Sequence, residues 1–402
     1  MRVLFVDDDA TGLATLRHSL TSRTPGWDIH VASTPGMAVL MSQRAGFDVA
    51  LININTPAYE GIEASTYFAR NFPETVRLAF IDDPMSYRAI HTEALAYQAV
   101  FATSPVEEII QTIERATELH RRLGDPMLSH LISGVNGLPS PPKIIIELNE
   151  ALAQPNISVN EVTEIVSNDV AIPARILHVV NTAYFALART MTNIREAVAY
   201  LGFDAVRNLA LAVEMFRELT DPKSAGSVRQ VEILQTHSAA VAQMTRQFVT
   251  HQQDAQDAFV GGLLHDVGHL IMATYFPTQY AEINRRVTAR QGFILDVERE
   301  VIGLTHADLG AFLLRQWGLP FRLIDVVAFH HEAPLFVTTG MDAVHGVYIG
   351  EHLLAERDSQ ENAYWEFSGI DKLRDEYLDA LGVFDRITSW RTLHVGFGAN
   401  IR

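Results

Sequence analysis

A chain of 402 residues exceeds what one hydrophobic core usually organises, so two domains joined by a linker are expected. With 48% hydrophobic and 20% charged residues the chain is not a disordered one, and a formal charge of -17 without a basic stripe interleaved with aromatics excludes direct nucleic-acid binding. The absence of cysteine excludes disulfides and thiolate metal sites, which leaves His, Asp, Glu and water to hold any metal. Met1 to Val6 lead straight into a strand-like segment without a secretory leader pattern. No apolar run reaches the ~18 residues of a membrane span. A cytoplasmic protein with no membrane association is the expectation.

From Arg2 to about Arg122, short apolar runs alternate with helical patterns, which predicts a doubly wound parallel α/β sheet. Residues 3–6, 49–52 and 78–81 read as strands, continuous in apolar character because helices cover both faces. Residues 107–123 close the unit as a helix. Gly134, Gly137, Pro139, Pro141 and Pro142 break both periodicities, so 124–142 reads as the linker and the entry to a second domain. Beyond it strand patterns vanish and helices are predicted over 143–153, 159–167, 173–184, 204–219, 231–249 and 258–275. Ser158 and Glu161 have capping-box spacing, and Gly202 separates two of the helices. One helix is predicted in the tail, over 372–381. The division is therefore 1–121, a linker over 122–138, an all-α domain over 139–356 and a helical extension over 357–402.

Aspartyl phosphotransfer needs an acceptor Asp beside a divalent cation, acidic groups to hold the cation, and positive and hydroxyl groups for the phosphoryl oxygens. Loops at the carboxyl edge of such a sheet supply these groups. Asp7, Asp8 and Asp9 follow the first strand, and LININTPAYEG carries the end of the central one. The order of elements and these two segments resemble the response-regulator receiver family. The resemblance places the phosphoacceptor at Asn53, the lysine position at Ser104 before Pro105, and the hydroxyl position at Ile81. An amide cannot act as the carboxylate nucleophile. The only lysines are Lys143, Lys223 and Lys372, all outside the domain. A degenerate receiver is expected, with the Asp7 to Asp9 cluster a solvated loop that caps the next helix. Such a unit serves as a docking or homodimerisation module within a two-component type of signalling system. A helix face over 89–97 is the candidate surface.

In the second half, Val260, Leu263, Leu264, Val267, Leu270 and Ile271 form an apolar helical face, which predicts that GGLLHDVGHL lies on one amphipathic helix. His265 and Asp266 then stand about 100° apart, and His269 shares the face of His265. Gly261 and Gly262 allow another element to approach closely. His237, His306 in GLTHADLGAFLL, His330 and His331 in AFHHEAP, and Glu351 in YIGEHLL supply further imidazole and carboxylate donors. Donors from several helices suit a metal site. A single helical His is more often an ordinary polar contact, and an HD pair can be a plain hydrogen bond.

LPSPPKIIIELNEAL, VSNDVAIPARILHVVNTAYF, IREAVAYLGFDAVRNLAL, GGLLHDVGHLI and RQWGLP together resemble the HD superfamily of metal-dependent phosphohydrolases, and more closely its HDOD branch of bacterial signalling domains. The resemblance implies metal ligands at His237, His265, Asp266, His306, His330 or His331, and Glu351, with iron, manganese or zinc as the ion. It departs at His269, where catalytic relatives carry lysine, at Glu351, where Asp is usual, and in lacking GYP after the paired histidines. The expected function is a non-catalytic regulator whose receiver-like domain controls an HDOD output that binds a protein partner or nucleotide ligand. The alternative is a phosphohydrolase of nucleotides or cyclic dinucleotides. Because His269 stands where a phosphoryl-binding lysine would, metal well under one equivalent is expected.

Overall fold

The computed structural model describes residues 1–55, 60–82, 98–134, 138–154, 157–169, 171–181, 191–219, 228–245, 248–249, 252–336, 340–358 and 373–391. The chain divides into two compact units, 1–122 with 320–322, and 123–319 with 323–402. The helix face proposed over 89–97 lies outside the described residues.

In the first unit β1 (Arg2–Val6), β2 (Asp28–Ala32), β3 (Val49–Asn53), β4 (Val76–Ile81) and β5 (Gln98–Phe101) form a parallel sheet of order β2-β1-β3-β4-β5. This is the flavodoxin-like order, in which ligands meet the carboxyl ends of the strands. Alternation along β1 explains its unbroken apolar run. Val3 and Phe5 pack with Leu51, Leu78 and Ile113 on one face, while Leu4 and Val6 pack with Ala50, Ile52 and Phe68 on the other. Each such buried Val, Leu, Ile or Phe side chain stabilises the sheet by about 1.5–3 kcal/mol. The flanking helices are α1 (Ala10–Arg23), α2 (Pro35–Arg44), α3 (Glu60–Asn71) and α4 (Val106–Leu123).

The second unit is helical, as the sequence predicts. It begins with α5 (Pro126–Gly134), which occupies much of the segment expected to be linker. Pro126 starts this helix, and Gly134, one of the residues that read as breakers, ends it. Its Leu128 and Ile132 are buried. Then follow α6 (Lys143–Leu152), α7 (Val159–Ser167), α8 (Ala171–Val180), α9 (Ile194–Leu201), α10 (Phe203–Leu219), α11 (Val228–Thr245), α12 (Gln252–Leu264), α13 (Val267–Tyr275), α14 (Pro277–Thr288), α15 (Ile294–Val301), α16 (His306–Gln316), α17 (Phe321–Phe329) and α18 (Ala343–Asp358). The Ser158–Glu161 capping box is present at the start of α7. In the tail, α19 (Asp375–Ala380) matches the predicted helix in part. A further helix, α20 (Phe384–Arg391), was not predicted, and its Trp390 packs at a tilt against Phe248, ring centroids 4.5 Å apart.

The single helix expected over 258–275 is two helices, α12 and α13. The chain breaks at His265 and Asp266, where Asp266 has φ -97° and ψ 9° and the His269 amide donates to the Asp266 carbonyl at 3.0 Å. Apolar periodicity continues across the break because both helices present their buried faces to the same core, so the pattern alone did not reveal the corner. Close packing holds it. A Cβ on Gly268 would stand 1.8 Å from the His306 carbonyl oxygen, while one on Gly262 would stand 2.8 Å from Ala242 Cα and one on Gly261 2.5 Å from Val326.

Gly268→Ala is expected to destabilise the second unit by about 1–3 kcal/mol or more, because two backbones must separate. Gly36→Ala, in α2 with nothing within 4 Å of the added Cβ, is the control and should be neutral or slightly stabilising. Chemical denaturation of the two variants beside the wild type checks the pair.

Candidate functional site

At the carboxyl edge of the sheet, Asp7 and Asn53 are buried while Asp8 and Asp9 are exposed. Asp9 caps α1 by accepting from the Thr11 amide at 3.0 Å, and Asp7 accepts from the Asp9 amide at 3.1 Å. The solvated capping loop expected from sequence thus describes Asp8 and Asp9; Asp7 instead belongs to the interior. Burial pushes the Asp7 carboxyl up, against the pull of the Asp9 amide and the Asn53 side chain. Both ends of the Asn53 amide are engaged: Nδ2 donates to Asp82 Oδ2 at 3.0 Å and Oδ1 accepts from the Asn55 amide at 2.8 Å. Sequence reading passed over Asp82. Ile81, at the expected hydroxyl position, is wholly buried against Ile54 and Ala79.

In the second unit the structure brings His237, His265, Asp266, His306, His330, His331 and Glu351 together. His237 comes from α11, His265 and Asp266 from the α12–α13 corner, His306 from the first position of α16, His330 and His331 from beyond α17, and Glu351 from α18. His265, His306 and His330 are wholly buried, and Asp266, His237 and Glu351 are 4%, 5% and 2% exposed. Among these seven residues, two groups of donors lie close enough to share an ion. Asp266, His306, His330 and His331 form one, and His237, His265 and Glu351 the other.

The outer nitrogens fix which way the rings point. His265 Nδ1 donates to the Gly262 carbonyl and His330 Nδ1 to the Val327 carbonyl, each at 2.8 Å. His306 Nδ1 donates to both Glu298 oxygens at 2.9 Å. Each Nε2 is therefore turned inward, the arrangement by which second-shell acceptors orient metal-binding imidazoles. His306 Nε2 lies 3.2 Å from His330 Nε2, 3.1 Å from His331 Nε2 and 3.5 Å from Asp266 Oδ1. His265 Nε2 lies 3.2 Å from His237 Nε2 and 3.3 Å from Asp266 Oδ2. Asp266 thus turns one oxygen to each group.

Burial and neighbouring imidazoles hold His330 and His331 well below the ordinary histidine range, and burial brings His237 to about 3. Those rings are neutral. Burial opposes charge on His306, but the carboxylates of Glu298, Asp266 and Glu351 together outweigh it and carry the ring up to about 9. His306 Nε2 within 3.2 Å of the Nε2 atoms of both His330 and His331 is a contact that a proton on His306 satisfies, and once that proton leaves, the same inward nitrogens with Asp266 are a donor set that fits a divalent metal. Glu351 Oε2, buried and without a hydrogen-bond partner among the described residues, fits the same reading. By contrast, His352 on α18 gives its Nδ1 to the Tyr348 carbonyl at 2.7 Å, an ordinary satisfied histidine.

Glu298 was missed in the sequence. It sits on α15, fully buried, and accepts from the His306 amide at 3.0 Å as well as from the ring. Thr305 and Asp308 form a capping box at the same helix start. The free amides of the α16 N-terminus thus meet a carboxylate and a cap, which locks His306 at that position. An acid in an amphipathic helix eight residues before a histidine carries no signal of its own.

Residues 138–333 match the HDOD domain family, and this segment is an HDOD domain. Glu351 lies outside the matched segment. An uncharacterized protein of Treponema pallidum (strain Nichols) is 25% identical over 252 residues, 62% of this chain. The chain spans about half, 46%, of the length of that curated relative. The solved HDOD domain protein with unknown function from Geobacter sulfurreducens is similar at 23% identity and TM-score 0.47, covering 68% of this chain and 97% of that one. A response regulator receiver domain protein (CheY-like) from Methanospirillum hungatei JF-1 is similar at 20% identity and TM-score 0.28, covering 31% of this chain and 98% of that one.

Burial carries Glu351 up to about 8, so it and His306 both hold protons near neutrality. An ion must displace protons from groups that ligate it. Metal affinity is therefore expected to rise as pH goes from about 6 to about 9, with roughly one or two protons released per ion near pH 7. Calorimetric titration with Mn2+ in buffers of different ionisation enthalpy measures that release. Binding heats that do not depend on buffer would contradict it.

Proposed function

We propose that this protein is a signalling regulator whose receiver-like unit works without phosphotransfer and whose HDOD unit holds a closed metal centre that does not turn over substrate. The carrying observation is Asn53, an amide at the acceptor position with both polar ends engaged inside the fold. Ser104 and Ile81 leave the lysine and hydroxyl roles unfilled as well. The receiver-like unit then acts by docking a protein partner or a second copy, and the HDOD unit passes that state on, with a nucleotide as a candidate ligand.

At the metal centre the donor geometry favours a loaded site over the sparsely occupied one expected from sequence. Asp266, His306, His330 and His331 would hold one iron, manganese or zinc ion, and His237, His265 and Glu351 a second. Such ions supply Lewis acidity and fix the corner between α12 and α13. His269 in place of lysine supports a non-hydrolytic role, since it offers less charge to a phosphoryl group. A second reading, hydrolysis of a nucleotide or cyclic dinucleotide, draws support from two adjacent donor groups linked by Asp266, the layout of a two-ion clamp. Among the described residues no helix is long and apolar enough to cross a membrane.

Acetyl phosphate is expected to add no mass to the protein, and Asn53→Asp alone should restore little, because the other two positions stay empty; intact-mass spectrometry reads both. Protein purified and reloaded with manganese or iron should retain metal on elemental analysis yet leave cyclic dinucleotides and simple phosphodiesters intact. Hydrolysis that disappears in Asp266→Ala would replace the non-catalytic reading with the second one.

A further inference from the structure

The segment expected to be linker touches both ends of α16, the helix whose first residue is His306. Only Gly124 and Asp125 separate α4 from α5, whose Leu128 and Ile132 are buried. Met127 on the same helix is 46% exposed, yet its tip reaches the turn between α15 and α16. A Cβ on Gly303 would stand 2.0 Å from Met127 Cε and 3.0 Å from its Sδ. Further along the segment, the Pro139 carbonyl accepts from the Trp317 indole at 2.8 Å. Trp317 is the C-cap of α16, wholly enclosed, and its own carbonyl accepts from Asn149 Nδ2 on α6 at 3.2 Å.

The turn at Gly303 separates Glu298 from the histidine that it orients. The Ile302 and Gly303 amides both donate to the Glu298 carbonyl, at 2.8 and 3.3 Å, which closes the end of α15. Gly303 has φ +94°, a conformation that glycine adopts without strain at a helix end. Its missing side chain leaves a notch, and the Met127 methyl fills it. An unbranched thioether suits such a gap. Thr305 then caps α16, and the amide and ring of His306 are both held by Glu298. The turn therefore sets the spacing between that carboxylate and that ring. Contact at Trp317 fixes the far end of α16 as contact at the notch fixes the near one.

We propose that α5 and the chain from it to Pro139 form an arm that conveys the state of the first unit to His306, with Met127 as a positioning residue. While Met127 fills the notch, the turn is braced and His306 Nε2 stays aimed at the Asp266 group. When Met127 withdraws, the turn relaxes and that group holds an ion less tightly. Strain on α4 reaches α5 through Gly124 and Asp125. Coupling of this kind is reciprocal, so an ion at the Asp266 group in turn holds α5 in place. The arm rests on the reading of that group as a metal centre, because His306 is what it moves.

The test uses the full chain, stripped with chelator, in two measurements: calorimetric titration with Mn2+, and amide hydrogen exchange over 126–134 with and without the ion. Met127→Ala is expected to bind Mn2+ about three- to tenfold more weakly than wild type at unchanged stoichiometry. Met127→Leu, of similar volume, should recover most of that loss. Met37→Ala, at a site 44% exposed on α2, is the control and should bind as wild type does. Mn2+ should slow exchange over 126–134 in wild type, and less so in Met127→Ala. A merely structural role for Met127 would lower stability without making α5 respond to the ion. Circular dichroism confirms folding, and if Met127→Ala unfolds, the wild-type exchange decides. Wild-type Mn2+ affinity in folded Met127→Ala, or exchange over 126–134 in wild type that ignores a bound ion, overturns the arm while leaving the metal-centre reading standing. A wild type that binds no Mn2+ overturns the metal-centre reading, and the arm with it.

Discussion

The second unit depends on buried imidazoles whose outer nitrogens are committed as donors. Carbonyls at Gly262 and Val327 and the Glu298 carboxylate can only accept, so His265, His330 and His306 give their Nδ1 protons outward and turn Nε2 inward. The geometry of the cluster follows from that choice. So does much of the local fold: the corner between α12 and α13 exists where Asp266 reaches both groups of nitrogens, and the glycine at 268 lets α16 bring His306 against it.

Glu298 joins the structural and the chemical demands. One carboxylate closes the N-terminus of α16, accepts the His306 ring proton and carries the charge that raises that ring. A buried carboxylate is costly unless paired and hydrogen-bonded, and here each oxygen has such a partner. Its removal would therefore disturb ring orientation before helix stability, the reverse of an ordinary cap. Orientation of this kind is what separates a cluster of histidines able to share an ion from histidines that merely pack.

The first unit shows the opposite relation between scaffold and chemistry. Parallel strands with both faces buried keep the sheet intact whatever stands at its carboxyl edge, so the fold survives with an amide at Asn53 and an isoleucine at position 81. The edge has become internally satisfied. Asn53 bridges Asp82 and the Asn55 amide, and Asp7 holds the Asp9 amide, so these polar groups face one another.

Composition and periodicity determined the two architectures, because apolar runs covered on both faces and helical apolar stripes are local patterns that short segments carry by themselves. The amide at Asn53, at the end of β3, was legible for the same reason: it is a matter of residue type at a place in a strand. Most of the donors, His237, His265, Asp266, His306, His330, His331 and Glu351, were legible as residues, yet their convergence was implied only by resemblance and not by any local pattern, since it joins positions more than a hundred residues apart. Tertiary structure alone decided that the apolar stripe over 258–275 bends at His265 and Asp266, that the linker segment contains a helix, and that Glu298 stands behind two histidines. Each of these depends on which backbones approach within van der Waals contact. That is a property of packing between distant segments, on which a local pattern is silent.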